Sequence, residues 1–254
     1  MSTAPANAIL ELASVTKRFG GLVAVDAVSL SVPHGQALGI IGPNGAGKTT
    51  LFNLVSGFET PSAGSIAFRG ESIVRFPPNK VARRGLVRTF QVVRPFPGLS
   101  VLENLMVGGL DDHVFDRGVE LRRARDRAQQ VAARVGLTAW LDREAATLPY
   151  GGLKRIEVGR AMMLEPEVLL LDEPFAGLAP QETADLSGVI QDLIDAGMTL
   201  LIIEHKLGAL MRLVRRVVVL QFGRMIADGS AEQVAADPAV REAYLGAKGG
   251  QRFA

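Results

Sequence analysis

Nine consecutive residues, Gly42, Pro43, Asn44, Gly45, Ala46, Gly47, Lys48, Thr49 and Thr50, combine three glycines, one lysine and two hydroxyls. They fit the pattern G-x-x-x-x-G-K-[ST], with an apolar run before it and a helical run after it. Glycines let the backbone curl until its N–H groups face a phosphate, and the following helix N-terminus adds partial positive charge. Lys48 is expected to reach the β- and γ-phosphates of a nucleoside triphosphate, and Thr49 to hold Mg²⁺ through its hydroxyl. A second set of reactive groups lies in "VLLLDEP", where an apolar run ends on Asp172 and Glu173. Asp172 can hold Mg²⁺ directly or through water. Glu173, beside it, can polarise a water for attack on the γ-phosphate. His205 closes the next apolar run, "LIIEH". Ligands of open α/β sheets bind at the carboxyl ends of the strands, so His205 is expected on the same side as Asp172, in contact with the γ-phosphate.

These groups need strands that end together. Residues 36–41, 168–171 and 199–203 read as buried strands, because their apolar runs are short and continuous. Helices are expected over 48–56, 101–107, 121–135 and 180–195. In the third, Leu121, Ala124, Ala128, Val131, Ala132 and Val135 share one face, and Arg122, Arg123, Arg125 and Arg127 form a solvated face opposite. The stretches "SAGSIAFRGESI" and the one around Phe222-Gly223 read as hairpins, and Ser230 with Gln233 makes a capping box for a C-terminal helix. Strands alternating with helices predict an α/β fold with a parallel sheet covered on both faces, interrupted by a helical block at about 92–164.

Bulk properties narrow the class further. The 254 residues suffice for a sizeable core. Lys and Arg total 28 against 26 Asp and Glu, a balance that offers no strong cationic face for nucleic acid. Cysteine is absent, which excludes disulfides and thiolate metal sites. "MSTAPANAILEL" lacks the basic and long apolar regions of a signal peptide. No apolar run approaches the ~20 residues of a membrane span, so any action at a membrane is expected to go through a partner.

One further stretch, "TLPYGGLKRIEVGRAM", runs a proline, a tyrosine and two glycines into a helix just before the Asp-Glu strand. With it in place, the chain resembles the ATP-binding subunit of an ABC transporter over about residues 8–246. The resemblance implies ATP and Mg²⁺ as ligands. It also implies a P-loop NTPase (RecA-like) parallel-sheet core with an N-terminal antiparallel β subdomain, over 8–91 and 165–229, and an inserted α-helical subdomain over 92–164. A C-terminal helix over 230–246 and a tail over 247–254 complete the division. Gln91, in "RTFQ", looks like the glutamine that senses Mg²⁺ and the membrane partner. Phe19, in "KRFGG", looks like the aromatic that stacks on adenine, and Val25 is grouped with it as nucleotide-binding. "LPYGG" stands where the family writes LSGGQ, so Tyr150, Gly151 and Gly152 are expected to meet the ATP of a second ATPase subunit, and "AGLAP" looks like the loop that follows the Asp-Glu strand.

Two positions depart from the family pattern. Aligned from Leu148 with Arg160 as anchor, the signature serine falls on Pro149, which has neither hydroxyl nor N–H; the backbone amides of Gly151 and Gly152 are expected to remain available. The usual aspartate of the later loop is Ala179. Weak hydrolysis is therefore expected where this signature completes a site, with a heterodimer expected and a homodimer possible. Membrane permeases are expected to dock near Gln91–Val107, on the cytoplasmic face of the inner membrane, and a periplasmic binding protein to act indirectly. "ARRGLVRTFQVVRPFPGLSVLENLMVG", "DEPFAGLAPQE" and "REAYLG" look most like branched-chain amino-acid importers. An exporter ATPase of the lipopolysaccharide type and a non-transport ABC ATPase remain open. A P-loop kinase or GTPase leaves the glycine-marked helix unexplained.

Overall fold

The protein is described by a computed structural model covering residues 8–110 and 117–245. Two long strands open it, β1 (Ala8–Phe19) and β2 (Leu22–Pro33), followed by β3 (Ala37–Ile41) and α1 (Lys48–Val55). A small antiparallel pair, β4 (Ala63–Phe68) and β5 (Glu71–Ser72), precedes α2 (Pro78–Arg83) and β6 (Leu86–Arg88). Then come α3 (Val101–Gly108), α4 (Arg117–Arg134) and α5 (Tyr150–Met162). The chain returns through β7 (Val168–Asp172), α6 (Pro180–Asp195), β8 (Thr199–Ile203), α7 (Leu207–Leu213), β9 (Arg216–Gln221) and β10 (Arg224–Gly229). It closes with α8 (Ala231–Ala236) and α9 (Pro238–Leu245).

The strands form two sheets, an antiparallel one in the order β2-β1-β4-β5 and a larger one in the order β10-β9-β3-β8-β7-β6. In the larger sheet β6, β7, β8, β3 and β9 run parallel, and β10 joins antiparallel to β9. Every residue of β3, β7 and β8 is buried. Their side chains alternate between two cores: Leu169 and Leu171 face the helices, and Val168 and Leu170 face the antiparallel sheet and α1. That alternation is the period-2 signature of a strand covered on both sides.

Register brings the reactive groups to one edge. Asp172 pairs with Ile203, so Glu173 and Glu204 follow side by side, and Ile41 leads into Gly42 on the neighbouring strand. The helical block packs tightly beside this edge. Within the block, a Cβ at Gly159 of α5 would lie 2.5 Å from Leu105 Cδ2 of α3, so a side chain there would have to displace Leu105.

Three sequence-based expectations change. The C-terminal helix expected over 230–246 is two helices, because Asp237 is extended (φ −67, ψ 122) ahead of Pro238. Proline clashes with helical geometry in the residue before it and lacks the N–H that would continue the ladder. Gly246 and the tail lie outside the described residues. On α4 the packed stripe begins at Ala124; Leu121 is 46% exposed. Arg127 leaves the solvated face, pairing with Glu165 and donating to the Met162 carbonyl.

Candidate functional site

The loop between β3 and α1 is built around three glycines at positive φ, two of which have no room for a side chain. Gly42 has φ 152, and a Cβ there would lie 2.1 Å from the Leu220 carbonyl oxygen; at Gly47, φ 98, it would lie 2.4 Å from that of Ala24. Gly45, φ 78, faces open space. Gly47 precedes α1 without a side-chain cap, so the first N–H groups of the helix rely on partners outside it. Lys48 is buried, and its Nζ donates to the carbonyls of Gly42 (2.8 Å) and Pro43 (3.0 Å). Burial lowers its pKa, and the nearby Glu173 and Asp172 oppose that shift.

A cavity of about 430 Å³ opens over this loop, bordered by Gly45–Thr50, Phe19, Leu22, Val23, Ala24 and Phe222. Phe19 is 45% exposed, with Lys17 Nζ 4.8 Å from its ring centroid. Val25 does not line the cavity and is fully buried, contrary to the sequence-based expectation. The register explains this: Lys17 pairs with Val25 but Arg18 with Val23, so a bulge at Ala24 breaks the alternation and leaves Val25 in the core.

Beside the loop, two carboxylates are held differently. Asp172 Oδ2 accepts from Arg88 Nη2 at 2.7 Å, with both side chains nearly fully buried. Glu173 occupies a left-handed backbone conformation, φ 49, which costs energy for a non-glycine residue and turns its side chain out of the strand end. Gln91 Nε2 donates to Glu173 Oε2 at 2.6 Å, and His205 Nε2 lies 2.9 Å from Oε1. Glu204 fixes the loop that carries His205: its carboxylate accepts from the N–H groups of Phe175, His205 and Lys206 at 2.6–2.8 Å.

The segment carrying Gln91 is gripped by α5. Lys154 Nζ donates to the Gln91 carbonyl (2.8 Å), the Phe90 N–H donates to Glu157 Oε1 (2.6 Å), and Arg160 Nη1 donates to the Arg94 carbonyl (3.0 Å). Residues spaced by three lie along one helix face, so one side of α5 holds this segment at successive turns. Burial pushes the Glu157 carboxyl up to about 7, against the Phe90 N–H, Lys154 and Arg160, which favour the charged form. A cavity of about 770 Å³ lies between α5 and this segment, reaching Thr49 and Asp172 at one end and Val92–Pro95 at the other. Phe58 and Phe90 meet edge to face on its wall, 5.5 Å between centroids.

At the start of α5 the geometry corrects a second expectation. Neither glycine amide is available: Gly151 N–H donates to Glu182 Oε1 at 2.9 Å, and Gly152 N–H donates to the Pro149 carbonyl at 2.9 Å. Glu182 Oε2 also accepts from Ala179 N–H at 3.0 Å, so one carboxylate caps α5 and α6 together. Both bonds hold the Glu182 pKa below its usual value. Tyr150 is 40% exposed and packs over Gly177, where a Cβ would come within 3.0 Å of its ring. Tyr150, Gly151 and Gly152 line neither cavity.

The fold thus gathers Gly42–Thr50, Gln91, Asp172, Glu173 and His205 at one sheet edge and leaves Tyr150–Gly152 apart from it. Arg88 and Glu182 went unnoticed in the sequence, having no local pattern. The charges at 154, 157 and 160 do carry a signal, the three-residue spacing on one helix. Among the described residues no three His, Cys, Asp or Glu side chains form a metal cage. The Thr49 hydroxyl and the Asp172 carboxylate are nonetheless hard oxygen donors of the kind Mg²⁺ takes alongside phosphate oxygens.

Comparisons with known proteins point to one family. The family model "ABC transporter" matches residues 25–176, and "Branched-chain amino acid ATP-binding cassette transporter" matches 224–249. The chain is 44% identical to the high-affinity branched-chain amino acid transport ATP-binding protein BraF of Pseudomonas aeruginosa, covering 94% of this chain and 98% of that one. It is 40% identical to the corresponding LivG protein of Escherichia coli, over the same shares. Its structure is similar, with a TM-score of 0.83 at 34% identity, to the ADP conformation of an ATP-binding cassette of an ABC transporter, covering 94% of this chain and 99% of that one.

Proposed function

The chain belongs to the ATP-binding subunits of ABC transporters, and from that premise we propose that it hydrolyses ATP to power the import of branched-chain or related amino acids. One observation carries the catalytic part. Glu173, directly after the strand-end Asp172, has its two carboxylate oxygens engaged by Gln91 and His205. A carboxylate base flanked by two polar side chains is an arrangement that can orient and deprotonate one water for attack on a γ-phosphate.

In this reading the Gly42–Thr50 amides and Lys48 bind the phosphates, and Phe19 contacts the adenine. Thr49, Asp172 and Gln91 would hold Mg²⁺, which when bound neutralises phosphate charge. Glu173 accepts a proton from the attacking water as general base, and His205 orients toward the γ-phosphate. Lys48 moves from the loop carbonyls to the phosphate oxygens, exchanging two neutral acceptors for charged ones.

Two such subunits act as a dimer, each lending the start of α5 to the other's nucleotide, for which Glu182 must release the Gly151 N–H. Pro149 brings no hydroxyl to that contact and Ala179 no carboxylate. A lost donor to developing charge costs on the order of 10²–10³ in rate. The efficient site is therefore the one in which a different ATPase subunit supplies the signature to this chain's Lys48, Glu173 and His205. Permease subunits dock near Gln91–Val107, whose first residues line the 770 Å³ cavity, on the cytoplasmic face of the membrane. No described helix is long and apolar enough to cross a membrane itself.

The test mixes the purified chain with the ATPase subunit encoded beside it and compares turnover with that of each alone. The mixture is expected to be the faster. Glu173→Gln in this chain should then slow the mixture by roughly 10²–10⁴. Near-normal turnover in that variant overturns the assignment of Glu173.

A further inference from the structure

Phe222 stands where both its surroundings and its backbone disfavour a phenylalanine. It is 82% exposed, more than any other large apolar side chain among the described residues. With Gly223 it forms the two-residue turn between β9 and β10, and both residues have positive φ, 47 and 80. Turns of that geometry favour Asn-Gly or Asp-Gly, because the first position must adopt a left-handed conformation. A bulky side chain there is an outlier, and such strain collects at functional positions.

The turn is also fixed to the nucleotide loop. Gly223 N–H donates to the Ala46 carbonyl at 3.0 Å, and the Gly223 carbonyl accepts from Asp26 N–H at 2.8 Å. Arg224 pairs with the Asp26 carboxylate at 2.7 Å. A Cβ on Gly223 would lie 2.9 Å from the Ala24 carbonyl oxygen, so the turn lies directly against β2. Phe222 borders the same 430 Å³ cavity as Phe19, Leu22, Gly47 and Thr50.

We propose that Phe222 is a second aromatic contact, alongside Phe19, for the purine base of the nucleotide held by Gly42–Thr50. The inference rests on the ATP-binding reading and adds a residue to it. An aromatic face stacks on any base without reading its hydrogen-bonding edge. Phe222 thus adds affinity for the base and little discrimination between adenine and guanine. Because its turn is bonded to Ala46, the base contact and the phosphate cradle belong to one rigid frame. Both features that are unfavourable in the free chain, exposure and strain, are explained by a base that covers the ring.

The experiment uses the full chain and measures equilibrium binding of ATP, GTP and inorganic tripolyphosphate by titration calorimetry. Phe222→Ala and Phe222→Asn are expected to weaken ATP and GTP by roughly 5- to 100-fold and to leave tripolyphosphate unchanged. Phe222→Tyr restores both nucleotides. Phe222→Asn suits the turn better than phenylalanine, so it should unfold at a higher temperature even as it binds ATP more weakly. That opposition separates a ligand contact from a structural role. Wild-type ATP affinity in Phe222→Asn overturns the contact, as does an equal loss for ATP and tripolyphosphate. If the unaltered chain binds neither ATP nor tripolyphosphate, it is the ATP-binding reading that fails.

Discussion

Removing the Arg88 guanidinium should produce the largest stability change. Arg88 Nη2 lies 2.7 Å from Asp172 Oδ2, and the two side chains are 5% and 6% exposed. The same guanidinium donates from Nη1 to Asn53 Oδ1 at 2.7 Å and to Ser56 Oγ at 3.3 Å. Arg88→Met keeps an unbranched stem among Phe52, Phe58 and Phe90, whose ring centroids lie 5.4–5.9 Å from the guanidinium carbon. What it removes is the counter-charge. Breaking a buried ion pair by removing one partner costs about 3–5 kcal/mol. That is a large part of the 5–15 kcal/mol typical of a folded domain. At a urea m-value of about 3 kcal/mol/M the midpoint should fall by roughly 1 M or more. Asp172→Asn alone strands the cation and should also destabilise. The double variant strands neither charge, so its loss should fall short of the summed single losses by about 2 kcal/mol or more. Urea unfolding followed by circular dichroism, without nucleotide or Mg²⁺, closes this cycle. Additivity of the two substitutions within about 0.5 kcal/mol would refute the pairing.

Glu157 offers a test in pH. Its pKa is raised from 4.5 to about 7, so the folded chain binds this proton more tightly than the unfolded chain. Its contribution to stability is therefore lost as pH rises from about 4.5 through 7. Glu157→Gln stays neutral, so relative to the natural chain it should gain stability between pH 5 and pH 8, by up to about 3 kcal/mol. Urea midpoints that differ equally at both pH values contradict the raised pKa. Glu182→Ala strips the carboxylate that caps both α5 and α6. At about 1–2 kcal/mol for such caps, Tm should drop by about 2–8 °C. Calorimetric melting unchanged by that substitution would show that the carboxylate caps neither helix.

The readings that held from the sequence are those written in local pattern. Glycine spacing marks the loop at Gly42–Thr50 whatever surrounds it, because positive φ and close backbone approach are requirements of single residues. The buried runs ending at Asp172 and Ile203 declare parallel strands by being apolar on both faces. The Ser230 and Gln233 capping box lies within four residues and forms as its pattern predicts. Val25 shows where such reading stops. Strand alternation would group it with Val23, and a bulge set by the pairing with β1 puts it in the core instead.

Residue type and period are enough to place the glycine loop at Gly42–Thr50, the strand that ends on Asp172 and the α/β order of the chain, because each is a short-range pattern. Only the tertiary structure decided which groups those residues face. Arg88 reaches Asp172, Glu182 takes the Gly151 amide, and Lys154, Glu157 and Arg160 hold the backbone around Gln91. Each of those contacts joins segments far apart in the chain. Strand register and helix packing set them; the three-residue spacing of Lys154, Glu157 and Arg160 marks one helix face, and no local pattern reports what that face meets.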